Sequence, residues 1–193
     1  MKKTTSQCFI MASMMLFSSS VFSGGNALIG AENQITISAG QSVRSGFDRE
    51  NLYMGSIVYS QPSTFFRIPA KLNIEGIYVK GKDASADKQV GDNLYPRDLR
   101  LSDYDMGIFG ISQDVQLFNI NGFYSSIGLG GYLKSESTDR ISSKFTFGEK
   151  ITVGYQFNNT VNLELYARHF SNGSLTDKNA GQNFYGLSLG YSF

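Results

Sequence analysis

A single histidine occurs in the 193 residues, and it stands two positions before a serine in the stretch ARHFSNGSL, Ala167 to Leu175. A neutral imidazole is the usual base for drawing the proton from a serine hydroxyl, so His169 and Ser171 form a candidate nucleophile pair for acyl transfer. Residues two apart on a β-strand point to the same side. Alternation runs unbroken into the pair: Val161, Leu163, Leu165 and Ala167 share its face, while Asn162, Glu164, Tyr166 and Arg168 take the other. The pair therefore sits on the apolar face of a strand. In a water-soluble sheet that face is core, and a lone histidine there is a hydrogen-bonded structural residue. The kind of sheet that carries the pair decides between the two readings.

The strand with the clearest pattern is the last. Tyr185, Leu187, Leu189, Tyr191 and Phe193 alternate with Gly186, Ser188, Gly190 and Ser192, which gives one large apolar face and one small polar face. Similar segments recur along the chain, with no stretch of strong helical period. They predict strands at Gln34 to Val43, Asn51 to Ser60, Lys71 to Lys80, Met106 to Leu117, Phe123 to Leu133, Lys144 to Phe157, Thr160 to His169 and Asn183 to Phe193. Each is near the roughly 9–11 residues that a tilted transmembrane strand requires. In the second, Ile57 and Val58 are adjacent and leave the facing undecided. A packed sandwich would turn large apolar groups inward from both layers. Large groups outside and small polar groups inside instead describe an eight-stranded antiparallel barrel closed in lipid, where a free strand edge would find no hydrogen-bond partners. In such a barrel His169 and Ser171 look at the membrane, where a titratable group is a functional candidate by default.

The remaining features are consistent with that class. Met1 to Ser23 reads as a secretory signal, with Lys2 and Lys3 at its start and Phe9 to Phe17 as its apolar run; cleavage after Ser23 or Ala27 fits, leaving residues 24–193 as one barrel domain. The sole cysteine, Cys8, falls within that segment, so the mature chain is expected to carry no disulfide and no cysteine metal site. A formal net charge of +1 suggests no nucleic-acid partner. Neither a metal nor another cofactor is called for. Long polar connections, RSGFDRE, Gly81 to Asp105, Lys134 to Ser143 and Ser171 to Gln182, fall at one end, and the shorter QPSTFFRIPA, NING and Asn158-Asn159 at the other. If Asn158 to Thr160 close a three-residue hairpin, Phe157 pairs with Val161 and Glu149 falls opposite His169 on the outward face. Glu149 is then a candidate for orienting the imidazole, as the acid of a triad does.

The sequence HFSNG at the end of the seventh strand, followed by NAGQN, resembles the outer-membrane lipid A 3-O-deacylases. The resemblance is sharp from Phe145 to Phe193 and covers the mature chain in architecture. It implies an eight-stranded barrel that hydrolyses the ester at position 3 of lipid A with an outward-facing histidine, serine and acid. Ser171 is then the nucleophile, His169 the general base, and Asn172 with the backbone N–H of Ser174 the oxyanion hole. The family's acid falls twelve residues after the serine, where this chain has Asn183. An amide can accept a bond from imidazole and fix its tautomer, but it cannot balance an imidazolium, so the third member stays open between Asn183 and Glu149. Asn179, at the family's other loop asparagine, is expected to position the loop or the substrate, or to serve the turn alone. Implied with the family are lipid A of lipopolysaccharide as substrate and the outer membrane as location, with the site toward the outer leaflet; a homodimer is left open. A non-enzymatic barrel of the adhesion or membrane-stabilising type, and a lipid A acyltransferase using the same nucleophile, are the alternatives.

Overall fold

Hydrogen-bonded ladders join eight antiparallel strands in sequence order, and the last pairs with the first to close the barrel. They are β1 (Gln34–Ser42), β2 (Asn51–Phe65), β3 (Ile68–Ala84), β4 (Leu101–Ile120), β5 (Phe123–Lys134), β6 (Phe145–Phe157), β7 (Val161–Ser171) and β8 (Gln182–Ser192). The structure, a computed structural model, describes residues 32–43, 51–84, 101–138, 140–157, 160–177 and 179–193, with backbone alone at 83, 84, 101 and 102. The signal expected at Met1 to Ser23, the loop RSGFDRE and the hairpin pair Asn158-Asn159 lie outside the described residues.

Two connections are tighter than the sequence pattern suggests. The segment QPSTFFRIPA, read as a turn, is mostly strand: Pro62 stands opposite Lys71 and Thr64 opposite Pro69, and only Phe66 and Arg67 reverse the chain. Both have positive φ, 46° and 69°, as do Asn121 and Gly122 at 52° and 88° in the next such turn. Two consecutive left-handed residues give the hairpin whose twist matches the strands it joins. Prolines mislead here because a ladder tolerates them wherever no N–H is required. These turns mark one end of the barrel, called the turn end below; the opposite, loop end carries the longer connections.

The outer wall is apolar along most of its height. Ile35, Ile37, Ile57, Leu72, Ile74, Phe109, Ile111, Leu163, Leu165, Leu187 and Leu189 all stand exposed on it. A surface of this kind is stable only against hydrocarbon, which identifies a membrane-spanning barrel. The pair left undecided in β2 divides, with Ile57 outward and Val58 buried inside.

The lumen departs from the expectation of small polar groups throughout. Its loop-end half is filled by an apolar plug of Leu52, Met54, Ile77, Val79, Tyr104, Met106, Ile108, Tyr132, Ile141, Tyr166, Phe170 and Phe184. An eight-stranded barrel has an interior just wide enough for side chains to fill, so alternation fixes which residues point inward but not their polarity. A bonded network runs from beside the plug, where Arg168 lies over the rings of Tyr132 and Phe170, toward the turn end. Arg168 Nη2 lies 2.6 Å from Glu75 Oε2, and Lys150 Nζ 2.5 Å from Asp114 Oδ2. Glu75 also accepts from Ser112 and from Tyr132 Oη at 2.7 Å. Glu164 accepts from Tyr124 Oη at 2.6 Å and Asn162 Nδ2 at 2.9 Å, and Asn162 and Lys71 both meet Gln34. Ladder and plug together hold β6, β7 and β8 in fixed register at the loop end, where the candidate residues lie.

Candidate active site

Register places Glu149 of β6, His169 of β7 and Asn183 of β8 in one row across three adjacent strands, all on the outward face. Phe157 stands opposite Val161, which sets Glu149 against His169. The imidazole is half-buried, whereas Glu149 and Asn183 are exposed. Its Nδ1 lies 2.7 Å from Asn183 Oδ1. An amide oxygen only accepts, so Nδ1 carries the hydrogen and Nε2 keeps a free lone pair, the tautomer a general base needs. Asn183 therefore orients the ring without supplying charge. Glu149 makes no hydrogen bond to the imidazole; it stands across the ladder as the nearest carboxylate in register.

Ser171 ends β7 and lies opposite Phe147. Its carbonyl accepts from Thr146 Oγ1 at 2.8 Å, and Thr146 is fully buried, so the backbone at the serine is tied to β6 just where the strand gives way to loop. The loop then turns through Gly173 and Ser174, at φ of 61° and 65°. Asn172 is its buried centre. The Asn172 N–H donates to Asn179 Oδ1 at 2.9 Å, the Ser174 N–H donates to Asn172 Oδ1 at 3.0 Å, and Asn172 Nδ2 donates to Thr176. Asn172, through its N–H and its side chain, and the Ser174 N–H, the groups expected at the oxyanion hole, are thus engaged within the loop. Asn179 staples the loop closed through its side chain, which the turn-residue reading omits.

Sequence reasoning also missed the support from the neighbouring connection, residues 135–144. Ile141, fully buried among the plug residues, forms a bridge with Asn179. The Ala180 N–H donates to the Arg140 carbonyl at 2.8 Å, Arg140 Nη1 reaches the Gly181 carbonyl at 3.5 Å, and the Ser142 and Thr176 hydroxyls are 2.7 Å apart. Nothing in the spacing of polar loop residues announces such pairing. The nearest signal is Ile141, an isolated aliphatic in the polar run STDRISSK. Around the row the wall stays apolar, with Phe145, Ile151 and Tyr185 exposed on it. The site can therefore meet a substrate whose acyl chains lie in the membrane. Among the described residues no group of three or more His, Cys, Asp or Glu side chains stands together as metal ligands would.

Comparison with known proteins gives a consistent picture. The model of the lipid A 3-O-deacylase (PagL) family matches residues 78–192, which take in β4 to β8 and most of the loop-end contacts described above. Among solved structures, the crystal structure of the outer membrane enzyme PagL is similar over 82% of this chain and 99% of that one, at 15% identity and a TM-score of 0.51. The Yersinia pestis outer membrane protein Ail, determined in a phospholipid bilayer nanodisc, is similar over 84% of this chain and 99% of that one, at 14% identity and a TM-score of 0.45. No curated protein matches the chain.

Proposed function

The chain belongs to the lipid A 3-O-deacylase family, and we propose that it acts as an outer-membrane esterase which removes the acyl chain at position 3 of lipid A by a serine–histidine mechanism. In this reading Met1 to Ser23 directs export, residues 24–193 form the barrel, and the loop end faces the outer leaflet. The observation that carries the mechanism is the bond from His169 Nδ1 to Asn183 Oδ1, made on the lipid-facing wall two residues from Ser171. A structural histidine would be buried and bonded on both sides; this one has a single partner and a free Nε2.

Nε2 takes the proton of the Ser171 hydroxyl as Oγ attacks the ester carbonyl. The tetrahedral intermediate collapses when the imidazolium returns that proton to the departing 3-hydroxyl oxygen of the sugar, leaving an acyl-serine. Water, deprotonated by the same nitrogen, then releases the fatty acid. Asn172 and Ser174 serve the oxyanion by exchange. The Ser174 N–H leaves the neutral amide oxygen of Asn172 for the developing negative charge, because bonds to an ionised acceptor are about twice as strong as neutral ones. Asn179 keeps the loop in place during the exchange. Asn183 fixes the tautomer, and Glu149 supplies the negative charge that stabilises the imidazolium from the other side.

Turnover of Asn183→Ala, Glu149→Gln and the double variant on purified lipid A tests this division of roles. Both single changes are expected to lower kcat, the double change no more than the larger single one, as for residues acting as a unit. Parental turnover in the double variant would reduce the site to Ser171 and His169 alone.

A further inference from the structure

The connection after β7 folds back along the wall and brings Gly181, the residue before β8, against the imidazole. Gly181 is buried with φ of 69°, and a Cβ built on it would stand 2.5 Å from Cε1 and 3.2 Å from Nε2 of His169. Two demands therefore meet at one position. The backbone is left-handed, and the space where a side chain would begin is filled by the catalytic ring. On its other side Gly181 is held by the 135–144 connection, through the Ala180 N–H to the Arg140 carbonyl, the Arg140 guanidinium to the Gly181 carbonyl, and the Ile141–Asn179 bridge.

We propose that Gly181 is a positioning residue of the active site: its bare Cα walls the Cε1–Nε2 edge of His169, and the β5–β6 connection, through Arg140 and Ile141, clamps that wall in place. The proposal rests on the esterase reading above for its catalytic consequence. Asn183 ties the ring at Nδ1 from the side of β8, and a ring held at one nitrogen alone can still swing about that bond. Gly181 closes the swing on the opposite edge and keeps Nε2 aimed along the face that Ser171 shares. A loop that sequence alone assigns to the surface thereby sets the geometry of the base.

The sole histidine of the chain gives a single imidazole Cε1–H signal, so NMR of the full chain in detergent micelles reads this one contact. In the unchanged protein a cross-relaxation peak between the His169 Cε1–H and the Gly181 Cα protons is expected, and its absence would overturn the proposal. Two substitutions separate the contact from the turn. Gly181→Ala introduces both the Cβ and the backbone strain, whereas asparagine visits the left-handed region readily, so Gly181→Asn introduces the Cβ with little strain. Both variants are expected to shift the His169 signal and to lower kcat on lipid A about 100-fold, the scale of a misplaced catalytic group, with KM little changed. Heat-modifiable mobility on unboiled gels reports that the barrel is folded. A Gly181→Asn variant with the parental His169 signal and parental kcat would mean that the glycine serves only the turn, and the proposal would fall. If the unchanged protein releases no fatty acid while the variants still shift the signal, the contact stands and the esterase reading is what fails.

Discussion

The inner and outer faces of this barrel's wall hold their charged groups in different settings. In the lumen, from mid-barrel to the turn end, Glu75, Arg168, Asp114, Lys150 and Glu164 point inward, each bonded to a neighbour. At the loop end the lumen is plugged by Phe170, Phe184, Met106 and their neighbours, while Glu149, His169 and Asn183 stand on the wall that faces lipid. Arg168 and His169 are adjacent in the chain and belong to opposite regimes. A buried, paired ion is a structural device that is costly to break. A titratable group set among apolar residues with one partner has little structural use and is free to react. The strand wall itself keeps the two regimes apart, and the apolar plug, with Phe170 of β7 and Phe184 of β8 among its members, packs from within against the strands that carry the outward row.

The comparison predicts effects of very different kinds from neighbouring residues. His169→Ala is expected to abolish deacylation, by about 10⁶ if it behaves as removal of the base does in serine proteases, with heat-modifiable mobility unchanged. Glu75→Ala should do the reverse. Leaving Arg168 buried without its carboxylate costs about 3–5 kcal/mol, read as a lowered urea midpoint in lipid vesicles, while the molecules that remain folded keep near-parental turnover. A turnover loss in Glu75→Ala larger than its loss of folded protein would mean that lumen and wall are not separate regimes.

Leu187→Arg, on the hydrocarbon wall, should cost about 2–4 kcal/mol near the bilayer midplane, against little for Ser188→Ala beside it on the lumen face. Equal damage at both would reverse inside and outside. Asn162→Ala is expected to cost about 1–3 kcal/mol, because Gln34, Tyr124 and Glu164 each lose a buried partner; the same urea titration measures it. The smallest effect belongs to Lys82→Ala. Its 3.7 Å pair with Asp103 is exposed on both sides, so the change should stay within about 1 kcal/mol.

How far these regions could be read in the sequence follows from what alternation encodes. A period of two assigns faces, and it correctly sends Leu163, Leu165, Leu187 and His169 outward. It also brings Glu149 opposite His169 once the hairpin length is given, because register is arithmetic from a turn. It does not say what a lumen residue touches. Asn162 reads as a replaceable small polar group, yet three partners drawn from three strands converge on it. Ile57 and Val58 cannot be ordered by pattern because both are apolar, and the ladder alone decides them. The prolines at 62 and 69 look like punctuation and instead sit within paired strands. The contacts of Gly181 and Arg140 join two loops about 40 residues apart, and no local period carries that information. What the sequence conveys least is therefore the support of the site, which comes from tertiary pairing of irregular segments.

The claim at the centre is that the outward row at the loop end is an esterase centre acting on lipid A. The most direct test is mass spectrometry of lipid A after incubation with the purified, folded barrel and with its Ser171→Ala variant. The unchanged protein is expected to remove one ester-linked acyl chain, that at position 3, with an equal amount of free fatty acid, and the folded Ser171→Ala barrel to leave lipid A intact. Lipid A left whole by the unchanged protein, or trimmed equally by the variant, would contradict it.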